Sequence, residues 1–330
     1  MGRFEDLGPP EARRLPLSVH MVAPIVTVTP SPALDRTLRV DRLDFGGIAR
    51  VRDVREDPGG KGINVSRVLN HFGYPTRALG FIGGRIGIRL EEELRRSGIV
   101  TDFIPLEGET RVNLTLTDGE RELKVNEAGP SIDATARGAL IEKVRCHARS
   151  SGAVVLAGSL PPGAGDGLYA ELVQVIRQEG SRAVLDAEAA PLRLGVSAGP
   201  YLIKPNLREA EALLGKSLST EADICQAARE LGDQGIQVVV ISLGGSGALM
   251  ACQGRVWMAE IPLTRTVSTV GAGDSLLACL LMMLLLGTDP AISLRRATAA
   301  GLASTGLPGS QLCTPAELDR MIPLVRIRAL

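Results

Sequence analysis

The sequence has few aromatic residues and few histidines. Aromatic residues make up 3% of the 330 residues, which disfavours a surface that stacks nucleic-acid bases. The three histidines, His20, His71 and His147, form neither an HxxxH nor an HExxH pair, so the sequence predicts no zinc site. The 37 basic and 37 acidic side chains cancel, which argues against a broad surface for nucleic acid or an anionic membrane. This balance is still compatible with a local basic site.

Paired cysteines and long apolar runs are also lacking. No two of the five cysteines are spaced as CxxC, and we expect them to be small buried side chains in a reducing cytoplasm. The longest apolar run, residues 276–286, has 11 residues, whereas a membrane span needs about 20. This run therefore predicts a buried helix. Residues 1–21 lack the apolar segment of a signal peptide, so we expect a loose extension before one domain over residues 22–330.

Hydrophobic residues make up 45% of the chain, and they follow two alternating patterns. Short β-branched runs predict strands, and apolar residues at i, i+3, i+4 and i+7 predict helices over 166–179 and 221–234. Continuous apolar strands separated by helices are typical of an α/β fold with a parallel sheet covered on both faces. Such sheets bind ligands at the carboxyl ends of their strands. The predicted strands are 25–29, 153–157, 182–186, 201–204 and 238–242.

Residues 111–126 predict a hairpin inserted in this α/β pattern. Apolar and polar residues alternate before Asp118-Gly119, which is a favoured two-residue turn. That turn pairs residue 113 with 124, which is the register that we expect. The polar face of the hairpin is either an ordinary solvated surface or a flap that brings cations to a ligand. It carries four side chains: Arg111, Asn113, Lys124 and Asn126.

A glycine-rich segment leads into the apolar helix predicted over 275–286. Gly271 and Gly273 leave main-chain amides free at the start of this helix, where the helix dipole also favours an anion. Asp274 is then either an N-cap, worth about 1 kcal/mol, or a general base beside an anion-binding site. The glycines favour the second interpretation because an N-cap does not need them.

Other segments after predicted strands or before helices give weaker signals. Gly59-Gly60-Lys61-Gly62 precedes a helix predicted over 64–72. The segment either lets the main chain approach a ligand closely or simply connects a loop to this helix. Segments 158–163 and 242–247 follow strands and are weak alone. Asn206 and Glu209 have the spacing of a capping box, and also of outer-shell ligands for a hydrated Mg²⁺.

Taken together, these segments resemble the PfkB family of ribokinase-like carbohydrate kinases over about residues 22–325. The resemblance rests on two glycine signatures in a fixed order, with Asn206-x-x-Glu209 between them. The signatures are Gly59-Gly60-Lys61-Gly62-Ile63-Asn64 and Thr269-Val270-Gly271-Ala272-Gly273-Asp274-Ser275. It implies a three-layer αβα fold with a central, mostly parallel sheet. It also implies a small β lid from about residues 36–56 and 108–128.

The resemblance assigns a role to each segment. Asp274 would be the catalytic base, and the anion-binding loop would be Gly271, Ala272 and Gly273. The substrate would be bound by Asp35, Gly59, Gly60, Lys61, Asn64, Arg111, Asn113, Lys124 and Ser159. The cofactors would be ATP and Mg²⁺, with ATP bound by Lys204, Asn206, Ser242, Gly244 and Gly247. Asn206 and Glu209 would lie near the Mg²⁺ as outer-shell ligands.

The branch of the family that phosphorylates sugar phosphates fits best. Arg111 and Lys124 on one face suit a phosphate group, because charge-assisted contacts are the strong ones. The resemblance thus implies that a ketohexose phosphate is converted to a bisphosphate, with 1-phosphofructokinase activity as the first choice. Ile48 and the lysine in the first glycine loop depart from the minor 6-phosphofructokinases, whereas Lys124 and residues 311–313 resemble them. Ser31 replaces the family's usual asparagine.

Several alternatives stay open at this point. They are tagatose-6-phosphate kinase, 6-phosphofructokinase, a kinase for an uncharged sugar or nucleoside, and a non-catalytic nucleotide-binding module. The resemblance further implies a cytoplasmic homodimer that pairs through the lid and binds neither nucleic acid nor membrane. Residues 268–270 and 304–311 resemble a monovalent-cation site of some relatives.

Overall fold

The apolar strands predicted from the sequence lie side by side in one large sheet. The structure, a computed structural model, describes residues 22–44, 46–262 and 267–330, so the predicted extension at 1–21 lies outside the described residues. In chain order the strands are β1 (Ile25–Thr29), β2 (Ala33–Val40), β3 (Val51–Gly59), β4 (Thr76–Gly83), β5 (Val100–Thr101), β6 (Ile104–Leu106), β7 (Arg111–Thr117), β8 (Glu122–Asn126), β9 (Ala153–Ala157), β10 (Arg182–Asp186), β11 (Leu202–Ile203), β12 (Val238–Ser242), β13 (Ala248–Cys252), β14 (Arg255–Glu260) and β15 (Arg326–Ala329).

Helices follow most of these strands. They are α1 (Lys61–His71), α2 (Gly84–Arg96), α3 (Ala134–Ala148), α4 (Leu168–Gln178), α5 (Ala189–Ser197), α6 (Leu207–Leu214), α7 (Glu221–Asp233), α8 (Ala272–Leu285), α9 (Pro290–Thr305) and α10 (Pro315–Met321). Short 3₁₀ turns lie at Gly244–Ser246 and Ile322–Leu324.

The main sheet is mostly parallel. Its order is β15-β14-β13-β12-β11-β10-β9-β1-β4-β5, with β6 also paired to β4. Strands from β12 to β5 pair in parallel, and β13, β14 and β15 add an antiparallel edge. Buried side chains of α3, α4, α5 and α7 pack on one face of the sheet, and those of α1, α8, α9 and α10 pack on the other. The three-layer αβα architecture predicted from the sequence is therefore confirmed.

A second, smaller sheet has the order β3-β2-β7-β8, and we call it the lid sheet. Its strands alternate between a polar and an apolar face. One apolar row crosses all four strands through Val54, Leu38, Leu116 and Leu123. The opposite face carries polar residues such as Asp35 and Asn113, which lie directly opposite each other on β2 and β7.

The predicted hairpin forms, but its predicted register is wrong. Asn113 pairs with Asn126 and Thr115 with Lys124, so the strands are displaced by two residues from the expected pairing. The cause is Asp118, whose carboxylate accepts hydrogen bonds from the amides of Glu120 and Arg121 and so closes a longer turn. Because side chains in a strand alternate with period two, a shift of two residues keeps every side chain on its expected face.

Other sequence predictions hold with shifted boundaries. Helices α1 and α8 each begin three residues earlier than predicted, because glycines occupy their N-cap positions. Strand β11 is shorter than the predicted 201–204. Four of the five cysteines are buried, but Cys146 is exposed on α3, so the prediction that all are buried is wrong there. None of the described helices combines the length and the apolar character that crossing a membrane requires.

Candidate active site

The N-terminus of α8 presents unpaired main-chain amides. Gly271 is the N-cap residue and has φ +75°, a left-handed conformation that favours glycine. The first bond within the helix runs from the amide of Ser275 to the carbonyl of Gly271 over 2.8 Å, and no side chain in the described part of the chain caps the helix. The amides of residues 272–274 therefore precede the first helical bond and point out of the helix, where they can bind an anion.

Asp274 lies in the first turn of α8 and is buried. The sequence left an N-cap role open for Asp274. Because Gly271 is the N-cap residue of α8, the structure excludes that role for Asp274. Its Oδ2 accepts a hydrogen bond of 2.8 Å from Asn64 Nδ2 on α1. Burial and the nearby carboxylate of Asp186 raise the pKa of Asp274 to about 6, although Asn64 and two lysines oppose the shift. A carboxylate with this pKa is suited to accept a proton near neutral pH.

The two lysines are held by one buried carboxylate. Asp186 ends β10, and its two oxygens lie 3.1 Å from Lys61 Nζ and 3.0 Å from Lys204 Nζ. Burial alone would raise the pKa of Asp186, but the lysines outweigh burial and hold the pKa below its ordinary value. Lys204 is buried, whereas the Lys61 side chain is 37% exposed. This arrangement fixes two ammonium groups beside the uncapped amides of α8.

The polar face of the lid sheet lies against the same region. Asp35 accepts hydrogen bonds from Asn113 Nδ2 over 2.9 Å and from Ser310 Oγ over 3.3 Å. A side chain at Gly59 would come within 2.3 Å of this carboxyl group, so the close approach of β3 requires glycine there. Burial raises the pKa of Asp35. The carboxylate is thus held in place to accept hydrogen bonds from a ligand's hydroxyl groups.

Arg111 brings a positive charge to this face. Its guanidinium donates to the carbonyls of Ser31 and Glu127 over 3.0 and 3.2 Å, and to Ser159 Oγ over 3.3 Å. Within the described chain, its buried Nε has no hydrogen-bond partner. These bonds fix the guanidinium, and no carboxylate of the described residues forms an ion pair with it, so it can bind an anionic group.

Two cavities meet at the start of α8. The first, about 500 Å³, is lined by residues from the lid sheet, by Lys61, Asn64, Lys204 and Asp274, and by Gly60 and Ser159. The second, about 540 Å³, is lined by Asn206, Ser242, Gly244, Gly247 and Ala272 among others. Thr269 and Gly273 line both cavities. The uncapped amides therefore stand at the boundary between two spaces, each large enough for a small molecule.

Several predicted site residues are placed differently from the rest. Lys204, predicted to bind ATP, lines the cavity of about 500 Å³ and not the one lined by Asn206. Asn206 and Glu209 form a capping box at α6, in which each side chain bonds to the other's main-chain amide over 3.0 and 2.8 Å. Lys124 lies on the expected face but pairs with Glu122 over 3.2 Å and lines a neighbouring cavity, apart from Arg111. Among the described residues, no group of three His, Cys, Asp or Glu side chains has the arrangement of a metal site.

Sequence reasoning did not assign Ser31, Asp186 or Glu188 to this site, although all three line the cavity of about 500 Å³, nor Ser310, which donates to Asp35. A signal existed for Asp186, because it ends a predicted apolar strand and ligands bind at the carboxyl ends of such strands. Ser310 lies in a loop 275 residues after Asp35, and only the tertiary fold brings the two side chains together. No sequence pattern marks that approach.

The chain resembles known proteins over nearly its full length. It is 32% identical over 308 residues to a 1-phosphofructokinase of Bacillus subtilis, covering 93% of this chain and 100% of that protein. It is 35% identical over 278 residues to a D-tagatose-1-phosphate kinase of Bacillus licheniformis, covering 84% and 91%. A crystal structure of phosphofructokinase-2 from Escherichia coli in complex with potassium superimposes with a TM-score of 0.86 at 28% identity, covering 92% of this chain and 99% of that chain.

Residues 30–317 match the model of the pfkB family carbohydrate kinases, and the chain belongs to this family. Its three-layer architecture is the ribokinase-like fold. The protein is accordingly a phosphotransferase with an alcohol group as acceptor, which removes the alternative of a non-catalytic nucleotide-binding module.

Proposed function

We propose that the protein transfers the terminal phosphoryl group of ATP to a primary hydroxyl of a ketohexose phosphate, with fructose 1-phosphate as the first choice. The product is then fructose 1,6-bisphosphate. One observation carries this proposal. The buried carboxylate of Asp274 stands beside the uncapped amides of α8, at the boundary between two cavities.

Asp274 accepts the proton of the attacking hydroxyl. Asn64 donates a hydrogen bond to one carboxylate oxygen of Asp274. Among the described residues no donor binds the second carboxylate oxygen, so that oxygen accepts the proton of the hydroxyl group. The amides of residues 272–274 stabilise the negative charge on the transferring group, and Lys61 and Lys204 add two positive charges nearby. Most of the catalysis in such a transfer comes from positioning and electrostatics, which these fixed groups provide.

We assign ATP to the cavity of about 540 Å³. Its lining combines main chain from Gly244 and Gly247 with the polar ends of Ser242 and Asn206, and it opens onto the amides of α8. Mg²⁺ bound with ATP would supply further positive charge for the phosphates. Glu209 and Asn206 are committed to the capping box through one oxygen each, so we assign them only to contacts with water molecules of the ion.

We assign the sugar phosphate to the cavity of about 500 Å³. Asp35, Gly60 and Asn64 are placed to bind hydroxyl groups, and Asn113 holds Asp35. Arg111 supplies a positive charge that an uncharged sugar would not need, and Ser159 beside it adds a hydroxyl group. Lys61 lines this cavity and lies near Asp274, where its charge stabilises the phosphoryl group during transfer. Lys124 is assigned to the entrance, since it lines the adjoining cavity.

We also propose that the lid sheet pairs two copies of the chain. Its apolar face is only partly covered, and Val51, Val54 and Val125 are each exposed by about half of their surface. Ile48, in the loop before β3, is 90% exposed. A second copy would cover this face and hold both lids over their sites, which keeps water from the phosphoryl group. The lid would come from residues 36–56 and 108–128 of one domain over 22–330. The cytoplasmic location expected from the cysteines stays a prediction.

The resemblance to a D-tagatose-1-phosphate kinase and to a phosphofructokinase-2 supports other ketohexose phosphates as alternative substrates. The deciding experiment measures ADP formation with fructose 1-phosphate, fructose 6-phosphate, and tagatose 1- and 6-phosphate, with fructose and ribose as uncharged controls. We expect the highest kcat/KM with fructose 1-phosphate. Faster turnover of fructose or ribose than of every phosphate would overturn the proposal.

The potassium complex of the E. coli relative supports a monovalent-cation requirement, with residues 268–270 and 304–311 as the proposed site. In this chain the amides of Val267 and Ser268 both donate to the carbonyl of Thr305, which joins the two loops. Turnover in potassium chloride should exceed turnover in tetramethylammonium chloride at equal ionic strength. Equal rates in the two salts would exclude the requirement.

A further inference from the structure

Arg67 lies next to the site on α1, one turn after Asn64. Residues three apart on a helix are neighbours on one face. The guanidinium is largely buried, with 14% of the side chain exposed. Its Nη1 lies 3.4 Å from Asn64 Oδ1, so it contacts the residue that binds Asp274.

Several other groups fix the position of the guanidinium. Nη1 also donates to the carbonyl of Pro58 over 2.9 Å and to the carbonyl of Ser310 over 3.3 Å. Nη2 forms an ion pair of 3.5 Å with Asp57. Arg67 therefore presents a fixed positive charge to the amide of Asn64, in a buried environment where such charges act strongly.

The chemistry of the three groups leaves one orientation for the amide. A guanidinium has only hydrogen-bond donors, and an ionised carboxylate has only acceptors. Asn64 stands between Arg67 and Asp274 and offers one oxygen and one NH₂ group. The contacts at both ends are favourable only when the oxygen faces Arg67 and the NH₂ group faces Asp274. The opposite orientation places like partial charges together at both ends.

We propose that Arg67 is a positioning residue, which holds the Asn64 amide so that its NH₂ group binds Asp274. This inference rests on the proposed function, in which Asp274 is the general base. The bond from Asn64 favours the ionised form of Asp274 and leaves its second oxygen to the substrate. Arg67 touches no reacting atom and acts on Asp274 through Asn64. Its charge also acts on Asp35, where it opposes the rise in pKa that burial causes.

A purely structural role for Arg67 is the competing explanation, since it also ties β3 to the loop at Ser310. The two explanations differ in the ionisation of Asp274. Lys61, Lys204 and Asp186 also face Asp274, and all three are kept in every variant. Asp35, Asp57, Arg55 and Glu93 are the charged groups around Arg67, and they are kept as well.

The test compares Arg67→Met, Arg67→Lys, Asn64→Ala and the double variant Arg67→Met/Asn64→Ala. The acid limb of kcat against pH is measured at saturating substrates, with melting temperature as the readout for structure. Arg67→Met should move the limb upward by about 0.5–1 pH unit, and Arg67→Lys by less. In the Asn64→Ala background, Arg67→Met should move it no further. Arg89→Met, which removes an exposed arginine paired with Glu56, is the matched control.

A second readout does not need turnover. The difference in unfolding free energy between chains with and without Asp274→Asn, followed against pH, reports the pKa of Asp274 in the folded chain. Arg67→Met should raise that pKa as well. If Arg67→Met lowers only the melting temperature, or moves the pKa equally when Asn64 is already alanine, the inference is wrong. If the wild-type chain phosphorylates no sugar, the proposed function fails, while the unfolding measurement still decides the role of Arg67.

Discussion

Asn64 Nδ2 donates a hydrogen bond of 2.8 Å to Asp274 Oδ2, although 210 residues separate the two in the chain. The bond joins the first turns of α1 and α8, the two helices that begin with the glycine signatures of the family. Helix α8 provides the carboxylate of Asp274 and the free main-chain amides. Helix α1 provides the side-chain amide of Asn64 and the ammonium group of Lys61 beside them.

Replacement of Asp274 by asparagine should separate activity from stability. We expect kcat to fall by at least about 10²-fold, because Asn cannot accept the hydroxyl proton. The raised pKa means that the folded chain binds a proton more tightly than the unfolded chain does. Ionisation of Asp274 therefore costs stability as pH rises from about 4 toward 6 and above.

The variant should consequently melt at a higher temperature than the wild-type chain at pH 8, with a smaller difference at pH 5. Calorimetry at the two pH values checks this, with Asp319→Asn on α10 as the exposed control. A near-normal rate in Asp274→Asn would remove this carboxylate from the mechanism.

The rate should depend on pH through the same group. Burial raises the pKa of Asp274 to about 6, and the base acts only when it is ionised. We expect kcat to fall about tenfold per pH unit below this value and to level off above pH 7. The measurement is kcat at saturating substrates from pH 5 to 8.5. A rate that is flat across pH 5–7 would contradict the assignment.

Arg111→Ala should weaken binding of the sugar phosphate and leave ATP binding unaffected. The guanidinium makes charge-assisted contacts of the kind worth about 1.5–3 kcal/mol, so KM for the sugar phosphate should rise roughly 10- to 100-fold. Lys124→Ala is the matched comparison on the same face of the lid sheet. It should change KM much less, because Lys124 is exposed and paired with Glu122. Equal effects of the two substitutions would show that the phosphate lies nearer the lid entrance.

Lys204→Met should destabilise the fold more than Lys61→Met. Both lysines pair with the buried Asp186, but Lys204 is buried and the Lys61 side chain is 37% exposed. Removal of one partner from a buried pair costs roughly 3–5 kcal/mol, and water compensates less at the buried position. Urea unfolding of the two variants gives the comparison. The reverse order of stabilities would mean that Lys61 carries most of the charge compensation.

Leu116→Arg should disrupt the proposed homodimer without unfolding the chain. Leu116 lies in the apolar row that crosses all four strands of the lid sheet and is only partly buried. Sedimentation velocity should show a monomer for this variant and a dimer for the wild-type chain. Ile88→Arg, on the exposed face of α2, should leave the dimer intact. A wild-type chain that sediments as a monomer would refute pairing through the lid.

The sequence by itself determined the elements and the chemistry at their ends. Apolar runs such as residues 153–157 become strands because they are buried on both faces, and local periodicity is enough to show that. The glycines around Gly271 predicted free amides at a helix start, because that property depends only on neighbouring residues. The polar face of the lid sheet was also predictable, since a strand alternates with period two whatever its register.

Only the tertiary structure decided which of these parts meet. The register of the β7–β8 hairpin depended on how the Asp118 side chain closes its turn, and this moved Lys124 away from Arg111. The pairing of Asp186 with Lys61 joins residues 125 positions apart in the chain, and the same carboxylate also binds Lys204. The raised pKa of Asp274 has the same origin, because burial and neighbouring charge come from the packing of whole elements and leave no local sequence pattern.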